Sequence, residues 1–318
     1  MTAQTYDQVF TGNPLNVFKG LKPMVSIKDY DPAMPLTNFT PFDETFTGID
    51  SKVHATSGTG AWGFQDLGMT DENALELDPS VTTSDTASGQ YPDLVRKDGS
   101  TRAFAGSFTL IEQRPAVDAL QYSLPLAALP SIGTAGYAAG PEVDITLYER
   151  TALMAAFDSV RQIWFVALFP RCVLDKPDKF SLGRKTESQT KISLAGLQDP
   201  FVKRPFKIFR GGAGWLALGG ATTTVGTVTA APAAPLTVTL SFTAPDSKNT
   251  PFKYKVYEDA SSTPLADNLV TAGGTAASPV LTVTGRTAGS HTYKVQAIGS
   301  NLSSGPQSAA SSPVTVTA

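Results

Sequence analysis

The sequence predicts a mainly β protein of two domains, and three observations carry that expectation. Apolar residues fall in short stretches rich in Val, Ile, Thr, Phe and Tyr, bounded by Gly, Pro, Asn, Asp or Ser. Of 318 residues, 41% are hydrophobic and only 17% charged, and the dilution by Thr, Ser, Ala, Gly and Pro suits turn-rich sheets better than helix bundles. The stretch 219–235 carries no charge and ends in Pro and Ala. It reads as a linker between a first domain, 1–218, and a second, 236–318.

In the first domain, strands are expected at 61–69, 74–81, 102–112, 162–174, 191–197 and 205–209, each a short β-branched or aromatic run between turn signals. A short helix is expected at 115–122, where Pro115 suits the first turn. Residues 146–157 have strong helix propensity. The favoured alternative is a strand, which residues 158–162 turn into 163–168 to make a hairpin. The polar stretch 82–101 reads as a loop, long enough to imply a function or disorder.

The second domain shows alternating runs at 236–242, 252–257, 280–283, 291–298 and 314–316, the spacing of a β-sandwich of about 90 to 100 residues. Tyr254, Val256, Tyr293, Val295 and Ala297 fall on alternate positions, so one face can be buried while Lys253, Lys255, Lys294 and Gln296 stay wet. The segment 282–295 resembles the strand-turn-strand of fibronectin type III or bacterial immunoglobulin-like modules. Phe242 stands where the fibronectin pattern has Trp, and His291 takes the corner-tyrosine position, which leaves the subtype open.

The formal net charge is −3; beyond residue 225, five Lys/Arg against four Asp/Glu give +1, leaving −4 for the first part. That balance carries no basic footprint for sequence-specific DNA readout. The single cysteine, Cys172, lies in an apolar setting and reads as a buried thiol. Residues 1–7 lack the basic start and apolar run of a cleaved signal, and no stretch approaches the roughly 20 apolar residues that span a bilayer.

The motifs that carry chemistry are weak. Residues 58–63 match the dinucleotide-binding glycine pattern and 212–217 nearly do, but neither is expected to open the helix whose N-terminus receives a pyrophosphate. His54 and His291 are the only histidines and lie in different domains, so neither a nucleophile-histidine pair nor a histidine-rich metal site is expected. Asp71, Glu72, Asp78 and Asp85 read as solvated turn acids, because a calcium loop needs oxygens at alternating positions. Lys203, Arg204, Lys207 and Arg210 read as interface or surface charge. No cofactor or metal is expected, and the chain is not expected to be an enzyme.

One family accounts for the order of features. Residues 62–77, then 107–112, then 164–174 with Phe169-Pro170-Arg171, then 191–197 and the late glycines 211–214 before Trp215 resemble the major tail proteins of long-tailed bacteriophages over roughly residues 20–218. The resemblance implies a tail-tube-type β-sandwich or barrel with a flanking helix, related in fold to the type VI secretion tube protein. Subunits of that kind self-assemble into rings, hexameric in the family, that stack into a hollow tube in the virion after synthesis in the host bacterial cytoplasm.

The implied partners are further copies of the chain, with tape measure, tail terminator and tail-tip or baseplate proteins. Genomic DNA passes through without specific binding, which a mildly acidic first domain favours. The family's counterpart of the 82–101 loop contacts the next ring, which makes Asp85, Tyr91, Asp93, Arg96 and Lys97 candidate stacking residues. The second domain, a small immunoglobulin-like sandwich, would decorate the outside, with weak cell-surface glycan contact. The rival readings are an adhesin-like surface or secreted protein working through its C-terminal sandwich, and a carboxylate-based hydrolase.

Overall fold

The computed structural model describes residues 16–88, 91–141, 143, 146–177, 188–233, 235–245 and 251–318; within these it leaves out the side chains of 73, 74, 85–88, 91–96, 100, 128, 176, 177 and 252. The protein is mainly β, with antiparallel sheets in two compact units, 1–212 and 213–318.

Among the described residues the first unit has eight strands: β1 (Lys22–Asp29), β2 (Gln65–Asp66), β3 (Thr70–Ser88), β4 (Tyr91–Leu110), β5 (Arg150–Asp158), β6 (Ile163–Pro177), β7 (Thr190–Gly196) and β8 (Lys207–Gly211). They form one sheet in the order β2-β1-β5-β6-β7-β4-β3, with β8 paired to β6. The sheet curls until β1 and β3 lie beside each other without pairing. Inside the curl, Val25, Ile27, Phe108, Leu110, Met154, Phe169, Cys172, Ile192 and Leu194 share one core with helix α1 (Pro115–Gln121), which contributes Val117, Ala119 and Leu120. Pro115 stands at the start of the helix, where its missing N–H leaves no bond unmade.

Residues 150–158 form a strand despite their Ala, Leu and Met content, because both faces are covered. Ala152 and Met154 point into the curl, while Leu153 and Ala155 point out under Leu36, Phe39, Phe42, Val53 and Phe64. The irregular segment between β1 and β2 thus closes a second core, in which Phe39 meets Trp62 edge-on at 5.0 Å and Phe64 at 5.8 Å. Fully burying a side chain of this size contributes about 1.5–3 kcal/mol.

The β5–β6 hairpin closes where the sequence places it. Asp158 Oδ1 accepts from the backbone N–H of Val160 (3.0 Å) and Arg161 (2.9 Å), and Gln162 takes the left-handed conformation, φ 56°. At the other end of β5, Arg150 sits directly across from Asp29 of β1, pairs with its carboxylate and donates to the Leu124 carbonyl. Burial pulls the Arg150 guanidinium down to about 10, so it stays charged at neutral pH.

Three expectations need correction here. The strand expected at 61–69 is reduced to Gln65–Asp66, because Gly63 (φ 70°) and Gly68 (φ 89°) are left-handed and break the run on each side. Strand β1 was not expected. The stretch 82–101 is not a loop: it continues β3 and β4 as a hairpin.

The second unit opens with the short helix α2 (Ala213–Ala217) and continues as β9 (Thr229–Pro232), β10 (Val238–Ser241), β11 (Pro251–Glu258), β12 (Val270–Gly274), β13 (Pro279–Val283), β14 (Gly289–His291), β15 (Tyr293–Gly299), β16 (Ser304–Gln307) and β17 (Val314–Val316). Its sheets run β12-β13-β10-β9 and β11-β15-β16, with β14 paired to β17. Val238, Leu240, Leu281 and Val283 of one sheet share a core with Val256, Tyr293, Val295 and Ala297 of the other. The alternation read from the sequence is therefore the inward face, with Val256 opposite Val295 and Tyr254 opposite Ala297. The charge-free stretch 219–235 is not a free tether: Val225 and Val228 are in this core, and β9 pairs with β10.

Gly106 marks the tightest approach inside the curl. A Cβ there would meet Met154 Sδ and two Phe169 ring carbons, each at 2.9 Å, whereas at Gly99 on the same strand the nearest atom is Val81 Cγ1 at 3.8 Å. Gly106→Ala is expected to lower unfolding stability by about 1–3 kcal/mol. Gly99→Ala should be neutral or stabilising, and equal effects of the two in chemical denaturation would refute the packing account.

Candidate assembly surface

Among the described residues, the far part of the β3–β4 hairpin pairs with no third strand. Strand β4 pairs with β7 only from Ala105 to Leu110, while its pairing with β3 runs on from Phe104 opposite Pro79 to Tyr91 opposite Ser88. Ser80, Val81, Thr82, Thr83 and Ser84 are exposed along one strand, as are Lys97 and Gly99 along the other. The β-branched content of 81–86 explains why this stretch pairs, and the lack of a covering layer explains why it shows no apolar alternation.

Of the residues expected at a stacking loop, Asp85 lies opposite Lys97, Arg96 opposite Thr86, and Tyr91 opposite Ser88, with Asp93 further along β4. The hairpin brings their backbones together. The side chains of Asp85, Tyr91, Asp93 and Arg96 lie outside the described residues, and Lys97 is exposed.

Among the described residues strand β3 pairs only with β4, and its outer edge has no described partner strand. Pro79 and register shifts at Thr82/Thr83 and Thr86/Ala87 interrupt that edge, as do exposed acids. The acids expected in turns, Asp71, Glu72, Asp78 and Asp85, are on this strand instead, with Glu72 and Asp78 exposed; Glu76 between them reaches Lys191 at 3.5 Å and accepts from Ser107 Oγ at 3.1 Å.

The nucleophile and ligand candidates are placed apart. Cys172 is fully buried inside the first unit, its thiol pushed up to about 12 by burial. His54 Nε2 lies 2.9 Å from Ser26 Oγ. Residues 58–63 lead into the two-residue β2, not a helix, and the helix after Gly212 has five residues. Among the described residues no group of three or more His, Cys, Asp or Glu is arranged to hold a metal, and no helix is long and apolar enough to cross a membrane.

In the second unit, Tyr293 and not His291 is the buried aromatic at the head of its strand; its hydroxyl donates to Glu258 Oε1 at 3.0 Å. Arg286 donates to Glu258 Oε2 at 2.9 Å, and His291 Nδ1 lies 3.0 Å from Asp259 Oδ2 and 3.6 Å from Glu258 Oε1. Sequence spacing did not reveal this network, because its members come from three separate segments.

No family model matches the chain, and no curated protein matches it significantly.

The network sets a pH dependence. The hydrogen bond to Asp259 holds His291 above its usual 6.5, so the stability from this pairing is present below 6.5 and fades as pH rises through the folded value. Asp259 is held below 3.8, first by the Thr292 N–H and then by His291, so its share is present above 3.8 and fades as pH falls through its own folded value. His291→Asn should therefore lower the melting temperature most between 3.8 and 6.5 and progressively less on the alkaline side. A melting difference independent of pH would show that the pair does not form.

Proposed function

We propose that the chain is a structural subunit of a long-tailed phage tail tube, assembling into rings that stack around a channel for DNA, with the second unit on the outside. The observation that carries this reading is the hairpin beyond Pro79 and Phe104, which extends past the sheet with no third strand among the described residues. A two-stranded ribbon is marginally stable alone in water, so an extension of this length is suited to a partner. The β3 edge before Pro79, which has no described partner strand on its outer side, offers a second, different surface, and two unlike surfaces are what a head-to-tail ring requires. Hexameric rings, a virion location and tape measure, terminator and tip partners follow from the family resemblance, and a structural role without catalysis is part of the same proposal.

The second unit supports its share of the reading. Taking β9 to β13 as A to E, β14 with β15 as F, and β16 with β17 as G, the sheets read A-B-E-D and C-F-G, an order that supports an immunoglobulin-like reading of this unit. Modules of this architecture are frequent on cell surfaces. That favours a second reading, an adhesin-like protein working through this unit by weak glycan contact.

The readings separate on assembly. Negative-stain electron microscopy with light scattering should show rings or tubes of megadalton mass for the full chain, with outer knobs lost on truncation after Gly212. Replacing residues 81–102 with Asn-Gly, a two-residue turn between the register partners Ser80 and Ala103, should leave a folded chain that no longer stacks. A full chain that stays monomeric at every concentration would sink the tube reading.

A further inference from the structure

The basic segment singled out in the sequence frames a cleft of about 510 Å³ in the first unit. Arg102 and Phe104 of β4 line one side, Gln198 just beyond β7 another, and Lys203, Arg204 and Phe206 the approach to β8, with no carboxylate among the described lining residues. Arg114, Arg150 and Arg171 of the same unit each have a carboxylate partner. Among the described residues, the side chains of Arg102, Lys203 and Arg204 have none.

The cleft is built on rigid parts. Phe104 and Phe206 stack at 5.6 Å with 22° between their planes, and both pack on the core. Buried Asp199 fixes the turn before the cations: its Oδ1 accepts from Val202 N (2.6 Å) and Phe201 N (2.9 Å), and its Oδ2 from the Tyr30 hydroxyl (3.0 Å). Lys203 N donates to Asp199 O at 2.8 Å and the residue is left-handed, φ 57°, a conformation uncommon for a long side chain and found where the surroundings impose it.

We propose that this cleft binds a small multivalent oxyanion bearing phosphate or sulfate groups, gripped by the guanidinium forks of Arg102 and Arg204, with Lys203 as a compact third charge. Planar forks match two oxygens of such a group at once, whereas a lone ammonium supplies charge without that geometry. The volume lies within the roughly 300–1,000 Å³ of small-molecule sites. Arg102, Lys203 and Arg204 are exposed, and their convergence on one cleft with no described carboxylate partner favours an anion there. The proposal is independent of whether the chain forms tubes.

Isothermal titration of the full chain with sodium tripolyphosphate, and in parallel with a trisulfated heparin disaccharide, tests it and tells phosphate from sulfate. Saturable binding of one anion per chain is expected, weakened about tenfold or more by Arg102→Gln or Arg204→Gln, because a charge-assisted bond is worth about that factor. Arg102→Lys, which keeps the charge but removes the fork, should also weaken it. Lys207→Gln removes a charge from the same segment outside the lining and should leave it within about twofold, as a non-specific charge effect would not. Thermal melts confirm that each variant is folded. No saturable binding of either anion, equal loss in Lys207→Gln, or tighter binding of a single-stranded DNA oligonucleotide through the same arginines would overturn the proposal.

Discussion

Strand β5 is covered by apolar layers on both faces, with only Phe157 half-buried, and the architecture of the first unit follows from that constraint. A strand buried on both sides must be sandwiched between two apolar layers, here the curled sheet with its helix on one side and the aromatic segment 36–64 on the other. Its neighbours inherit the condition. In β1, Ser26 is fully buried, and Lys28 lays its chain under the cover with its ammonium 5.6 Å from the Trp62 ring centre and 5.3 Å from that of Phe64. Burial holds that ammonium below its usual range. The Arg150–Asp29 pair then pins β5 to β1 in register, since losing Asp29 would leave the buried Arg150 guanidinium without its carboxylate.

This double burial also decides what could be read from the sequence. One-face periodicity made the second unit's inward residues legible, because its sheets have a wet side. Residues 150–158 carry no such period, and the choice of strand over helix rested on the turn after Asp158, where the side-chain acceptor does lie. Strand β1 escaped notice because its outward positions, Met24, Ser26 and Lys28, are covered by a segment distant in the chain. Local chemistry cannot announce such a partner.

The candidate surfaces show the opposite case. The hairpin beyond residue 79 is rich in Ser, Thr and Asp, so composition suggested a loop, while its β-branched residues Val81, Thr82, Thr83 and Thr86 suit a paired ribbon. The stretch 219–235 looked like a tether because Ala, Thr and Gly dominate it, yet Val225 and Val228 suffice to anchor it to a core. The basic cleft needed three chain segments to converge, and Arg102 was invisible to any reading confined to the run 203–210. Sequence spacing carried the helix at 115–121 and most strand centres; the fold supplied the neighbours.

The lone thiol has a practical corollary. Cys172 lies with no exposed surface, its Sγ 3.4 Å from the Arg150 carbonyl oxygen, and burial keeps it protonated at neutral pH. For alkylating reagents and mild oxidants the folded chain is thus silent, as though it had no cysteine. A cysteine introduced at exposed Thr83 would be the single reactive handle on the molecule, so a dye, spin label or crosslinker could be carried at the hairpin without first stripping a native sulfur from the core.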